Sequence, residues 1–241
     1  MISFRELIAS FQQLGIERGR PVVVHASLSA FGEMRGGAST MVGALLAAFE
    51  RVMMPAFTYK TMIIPEAGPP DNGIKYGSGK DTNRMAEFFR PDMPVDKLMG
   101  IISETLRQHP KSRRSNHPIF SFAGLGVDKA LNAQTLANPL APIHHLTQAG
   151  GWVLLLGVDH TVNTSIHYGE KSAGRKHFIR WALTPAGIRE CPGFPGCSEE
   201  FNALTPHVEA VVRTRQVGNA LVQAFPLPEM IDAIRQLIER A

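Results

Sequence analysis

The chain has 241 residues, of which 44% are hydrophobic and 19% charged, so it carries enough apolar mass for its own core and is no disordered polyelectrolyte. Its net charge of +4 is mildly basic, which fits an anionic small molecule as well as a nucleic acid. Two cysteines make no disulfide framework, and no apolar run approaches the length of a membrane span.

Residues 1–20, "MISFRELIASFQQLGIERGR", place Ile2, Phe4, Leu7, Ile8, Phe11 and Leu14 at helical spacing with charges inside the pattern, an amphipathic helix and not a signal peptide. The expected setting is therefore cytoplasmic and reducing. "PVVVHASLSAFG" (21–32) reads as a buried strand that turns polar at His25 and runs into a loop. In 35–50 a glycine pair, then Ser39 and Thr40, then an Ala/Leu run announce a helix start. "RVMMPAFT" (51–58) is a short strand, and 59–97 is a long irregular stretch of the kind that covers a site.

Residues 96–110 have a helical period ending at Pro110, and 113–126 join a basic loop to a short apolar strand. A short helix is expected over 142–150 and a strand, apolar on both faces, over 152–158. Helices are expected over 164–174, near 207–224 and over 228–240, with a Pro/Gly-rich, hairpin-like insertion at about 184–206. Strands alternating with helices predict a three-layer α/β/α sandwich around a central mixed sheet, a single domain over 1–241.

In such a sheet, sites gather where strands end and helices begin. If a helix starts near Thr164, His167 and Glu170 stand at i and i+3 on one face. A carboxylate beside an imidazole fixes its tautomer and stabilises its protonated form, so the pair can take a proton from an amine or alcohol; the same spacing also suits a solvated helix face. Gly36 and Gly37 precede a helix N-terminus whose N–H groups attract anions, and Ser27 and Ser29 can hydrogen-bond a polar ligand, although a capped loop would look the same. Arg107, Lys111, Arg113 and Arg114 form a cationic cluster that suits phosphates or a solvated surface, and with few aromatics between them a single-stranded nucleic acid is not expected.

"GIKYGSGKD" fails the phosphate-loop spacing, and Asp81 stands where the metal-binding Ser/Thr is required. The histidines lack i,i+4 or H-x-H spacing, so no metal is expected. No G-x-S-x-G elbow is present.

The order of these segments carries more than any one of them. "VVVHASLSAFG", "GGASTMVGALL", "MPAFT", "RSNHP" and "NTSIHYGE" together resemble the aminoglycoside 3-N-acetyltransferase family, over residues 20–205. The resemblance implies an α/β/α sandwich and transfer of an acetyl group from acetyl-CoA to an amino group of an aminoglycoside-like acceptor. It implies His167 as the catalytic base with Glu170 as acidic partner, and direct attack of the amine on the thioester. It also implies that Ser27, Ser29, Gly32, Gly36, Gly37, Arg114 and Ser115 hold CoA, and that Thr58 approaches the thioester. Donors to the oxyanion would be Thr58, Thr164 or a backbone N–H. The partners implied are acetyl-CoA and a small amine, with no nucleic acid and no membrane, and a homodimer is possible.

Two alternatives stay open: a CoA-dependent acyltransferase for a different metabolic amine, and a non-catalytic acyl-CoA-binding protein. A polycationic acceptor calls for a carboxylate-rich cleft, yet the acids of 59–97 are interspersed with Lys60, Lys75, Lys80 and Arg84.

Overall fold

The computed structural model describes residues 1–240. Its regular elements run α1 (Phe4–Gln12), β1 (Val22–Ala26), α2 (Gly37–Ala48), β2 (Val52–Pro55), β3 (Met62–Ile63), α3 (Lys80–Arg84), α4 (Gly100–Gln108), β4 (Arg113–Arg114), β5 (Phe122–Leu125) and α5 (Asp128–Asn132). They continue with α6 (Ala141–Gln148), β6 (Trp152–Leu156), α7 (Thr164–Ser172), β7 (Phe178–Thr184), β8 (Gly187–Phe194), α8 (Thr205–Val208), β9 (Arg213–Val217), β10 (Ala220–Pro226) and α9 (Leu227–Glu239).

The central sheet has the order β4-β5-β2-β1-β6-β10-β9. Strands β2, β1 and β6 are parallel, and the strands outside them pair antiparallel, so the sheet is mixed. Successive residues of β1 serve opposite faces. Val22 and Val24 pack with Leu7 and Phe11 of α1, Met41 and Leu45 of α2, and Ile102 and Leu106 of α4. Val23 packs with Ile143 and Leu146 of α6, Ile166 of α7, and Met230 and Ile234 of α9. Both faces are thus covered, which is why "VVV" and "WVLLL" read as unbroken apolar runs. Each fully buried Val, Leu or Phe here contributes about 1.5–3 kcal/mol. The result is the three-layer α/β/α arrangement.

A second, antiparallel sheet, β3-β7-β8, adds Ala182 and Cys191 to the core on the α6/α9 side. The hairpin expected within 184–206 begins earlier, at Phe178, and turns between Thr184 and Gly187. The helix expected near 207–224 is absent: α8 stops at Val208, and β9 and β10 form a hairpin. Gly218, at φ 57°, supplies the left-handed backbone that the tight turn before Ala220 requires. Arg213, Thr214, Arg215 and Gln216 are exposed, as befits a charged edge strand that no further strand can extend. Among the described residues no helix is long and apolar enough to cross a membrane.

Candidate active site

A cavity of about 920 Å³ opens at the carboxyl ends of β1, β2 and β6. The chain leaves β1 for α2 and β2 on one side and pairs β1 with β6 on the other, so the strand order reverses there. Crevices of this kind hold ligands in open α/β sheets. Ser27, Ser29 and Gly32 come from the segment after β1, Phe57 and Tyr59 from that after β2, and Thr161 to Thr164 from that after β6.

Helix α7 begins at this edge because Asn163 caps it: its side chain accepts a hydrogen bond from the Ser165 N–H at 3.1 Å. The fully buried Asn163 also directs its amide at His160 Nδ1, 3.3 Å away, and at Met230 Sδ, 3.5 Å away. One turn into the helix, His167 lines the cavity. Its Nδ1 lies 2.9 Å from Glu170 Oε2, and the ring packs edge-on to Phe201 with centroids 4.7 Å apart. With Nδ1 engaged, Nε2 is the nitrogen left to meet a ligand. The His167 and Glu170 side chains are 12% and 7% exposed, so the contact is shielded from water on both sides. Burial pushes the Glu170 carboxyl up, but the His167 hydrogen bond and charge, with the charge and hydrogen bond of Arg175, overcome it and hold the group below the usual carboxylate range.

Ser27 and Ser29 stand together on the wall with their hydroxyls 3.1 Å apart. Gly32 joins them at φ 79°. Gly36, Gly37, Thr58, Arg114, Ser115 and Glu170 are not on the wall. Gly36 and Gly37 form the left-handed turn into α2, where a side chain on Gly36 would run into Thr40 Oγ1.

Thr58 is fully buried and donates its hydroxyl to the Pro118 carbonyl at 2.7 Å, which leaves its neighbours Phe57 and Tyr59 to face the cavity. Arg114 holds chain segments together: its guanidinium donates to the carbonyls of Ala56 at 2.7 Å, Pro91 at 3.3 Å and Met93, and to Ser121 Oγ at 3.0 Å. Burial, with the charge of Arg107, pushes it down to about 10, so it stays charged at neutral pH. Ser115 Oγ accepts from the Phe122 N–H at 2.9 Å. His117 Nδ1 accepts from the Ile119 and Phe120 N–H groups at 3.1 and 2.9 Å. The "RSNHP" loop is thus tied to the residues that follow it, and of these Phe120 lines the cavity.

Several wall residues carried no signal in the pattern. Phe57 and Tyr59, Phe120, and Phe194 come from three separate places in the chain. His25 is the exception, because a histidine after three valines at the end of a parallel strand marks a site edge. It is 5% exposed, and its buried Nε2 has no partner among the described residues. Burial, with the charge of His160, pushes it down to about 3, so it is neutral. Among the described residues no three His, Cys, Asp or Glu side chains stand together as a metal site.

The model of the aminoglycoside 3-N-acetyltransferase family matches residues 23–239. The SPbeta prophage-derived aminoglycoside N(3')-acetyltransferase-like protein YokD of Bacillus subtilis (strain 168) is 31% identical over 95% of this chain and 89% of its own. Its crystal structure superposes with a TM-score of 0.84, covering 97% of this chain and 92% of that one at 26% identity. Aminoglycoside N(3)-acetyltransferase III of Serratia marcescens is 30% identical over 96% of this chain and 95% of its own. A solved structure described as AAC-IIIb binary with CoASH shares the fold, with a TM-score of 0.79 at 21% identity, covering 99% of this chain and 96% of that one. By the extent of that family match, running from the first buried strand into the last helix, the chain belongs to the aminoglycoside 3-N-acetyltransferase family.

Proposed function

We propose that the chain transfers an acetyl group from acetyl-CoA to a primary amine, with His167 as general base and Glu170 as the residue that orients it. The observation that carries this reading is the 2.9 Å contact between His167 Nδ1 and Glu170 Oε2 at the wall of the 920 Å³ cavity. Family membership and the CoASH-bound structural relative support the acyl donor.

An ammonium group has no lone pair and cannot attack a thioester until it loses a proton. His167 Nε2 takes that proton, and the ionised Glu170 stabilises the imidazolium that forms. The amine nitrogen then bonds to the acetyl carbon directly, so neither cysteine need act as a nucleophile. Ser27, Ser29 and Gly32 border the path of the pantetheine arm. The Thr164 hydroxyl and the amino end of α7 supply donors for the oxyanion, while the Thr58 hydroxyl is spent on Pro118. A cytoplasmic setting, where acetyl-CoA is made and Cys191 and Cys197 stay free, fits this chemistry.

Thiol release from acetyl-CoA in the presence of a primary amine tests the reading. Release that disappears in His167→Ala supports it; CoA binding without release from any amine would leave only an acyl-CoA-binding protein.

A further inference from the structure

The cavity wall contains both a base and hydroxyls, but among the described residues that line it none is Asp, Glu, Lys or Arg. The nearby carboxylates are committed elsewhere. Glu170 gives one oxygen to His167 and the other to Arg175 at 2.8 Å. Asp159 accepts from Thr161 N at 3.0 Å and from Asn202 Nδ2 at 2.9 Å. Asp96, whose charge reaches Tyr59, accepts from Leu98 N at 3.0 Å. Glu199 is exposed outside the wall, and Glu200 lines a separate cavity of about 140 Å³ beside Glu170 and its partner Arg175. An ammonium group taken from water into such a space without a counter-ion loses several kcal/mol of solvation. An acceptor with several ammonium groups meets that cost several times over, against a chain whose own net charge is +4.

The wall is instead aromatic and aliphatic. Phe57 sits edge-on to Phe120 at 4.7 Å and to Tyr59 at 6.0 Å, and Phe120 meets Phe194 at 4.8 Å. At the mouth, Leu98 and Ile101 line the cavity although they are 80% and 56% exposed. Apolar side chains left in water around an opening mark a place where an apolar body binds. A ring face also accommodates one ammonium by cation–π attraction before it is deprotonated. Whichever stretch of this cavity the pantetheine arm fills, the remainder has no carboxylate on its wall.

From this wall, and resting on the acetyltransferase reading above, we infer that the acceptor is a monoamine with an aromatic or apolar body, of the arylalkylamine class, and not a polycationic amino sugar. The step balances as one acyl transfer. The amine nitrogen forms a bond to the acetyl carbonyl carbon, the C–S bond breaks, and the sulfur leaves as thiolate. The nitrogen gives up two protons in all: one passes through His167 to the thiolate and the other is released to solvent, giving the N-acetylamine, free CoA and one proton.

The test is thiol release by the purified full chain with acetyl-CoA and, in turn, 2-phenylethylamine, tryptamine and gentamicin. The expected result is a kcat/KM for the arylalkylamines higher than for gentamicin by about tenfold or more, and independent of salt. Gentamicin preferred, with a rate that falls as salt rises, overturns the inference and leaves the acetyltransferase intact. No release from any amine, while acetyl-CoA still binds by calorimetry, overturns both. Leu98→Glu puts a carboxylate at the mouth on an exposed side chain that folding does not need. It should raise gentamicin turnover and make it salt-sensitive, and an unchanged rate counts against the inference.

Discussion

Arg175 Nη1 lies 2.8 Å from Glu170 Oε1, so the carboxylate that meets His167 is shared with a guanidinium that is itself 55% exposed. An ion pair with one partner in water contributes about 1 kcal/mol or less to stability. Arg175→Ala should therefore fold normally but lower kcat by about two- to tenfold, because Glu170 loses one of the two partners that fix its plane. Steady-state kinetics beside a thermal melt checks this, and an unchanged kcat would show that Arg175 is a bystander.

His167→Ala should lower kcat by about 10²–10⁴-fold, the range of a lost general base, with CoA affinity nearly unchanged. Glu170→Gln keeps the shape and removes the charge, and should cost less, about ten- to a hundredfold. Thiol release and calorimetric titration with CoA read the two effects separately.

His25 and His117 are both held neutral, pushed by burial to about 3 and about 4 from the ordinary 6.5. The unfolded chain binds their protons first as pH falls. Their stability contribution is then complete above about 6.5 and is lost between there and their folded values. Each histidine adds a slope of about 1.4 kcal/mol per pH unit inside that window. Urea unfolding at several pH values should show the loss, and His25→Gln should remove one proton's share of the slope. An identical slope in wild type and variant would contradict the assignment.

Arg114→Ala should destabilise the fold by about 3 kcal/mol, since it leaves the buried Met93 carbonyl without its donor and the buried Ala56 carbonyl with only the Ser121 hydroxyl. CoA affinity should stay within about twofold of wild type. Stable protein with strongly weakened CoA binding would instead support a phosphate-binding role.

Gly169, between His167 and Glu170 in sequence, packs α7 onto α9 so closely that an added Cβ would lie 2.7 Å from Ile234 Cδ1 and 2.9 Å from its Cβ. Alanine gains about 1 kcal/mol of helix propensity, but overpacking costs about 1–3 kcal/mol and pushes the helix that carries His167. Gly169→Ala should lower both the melting temperature and kcat. Ile234→Val in the same background should recover part of each.

The layered fold was legible because β1 and β6 are buried on both faces and their sequences show nothing but apolar residues before the site edge. His167 and Glu170 were legible because helical spacing joins them locally. The partners of Arg114 were not: nothing in a basic loop shows that its guanidinium reaches the carbonyls of Ala56 and Met93, which only tertiary placement brings to it. The aromatic wall was equally hidden, since Phe57, Phe120 and Phe194 meet only after β2, β5 and β8 are in position. The β9–β10 hairpin was misread because apolar residues in 207–224 suit a helix until the Gly218 turn is recognised.

Met230 touches the capping Asn163, and Ile234 is pressed against Gly169, so α9 braces α7 without reaching the cavity. Helix α9 begins at Leu227, far along the chain from the end of α7 at Ser172. The cavity wall can therefore assemble before the brace arrives, and His167 is seated only once α9 has packed. A chain cut before Leu227 would keep every residue of the wall and lose the packing that aims the imidazole.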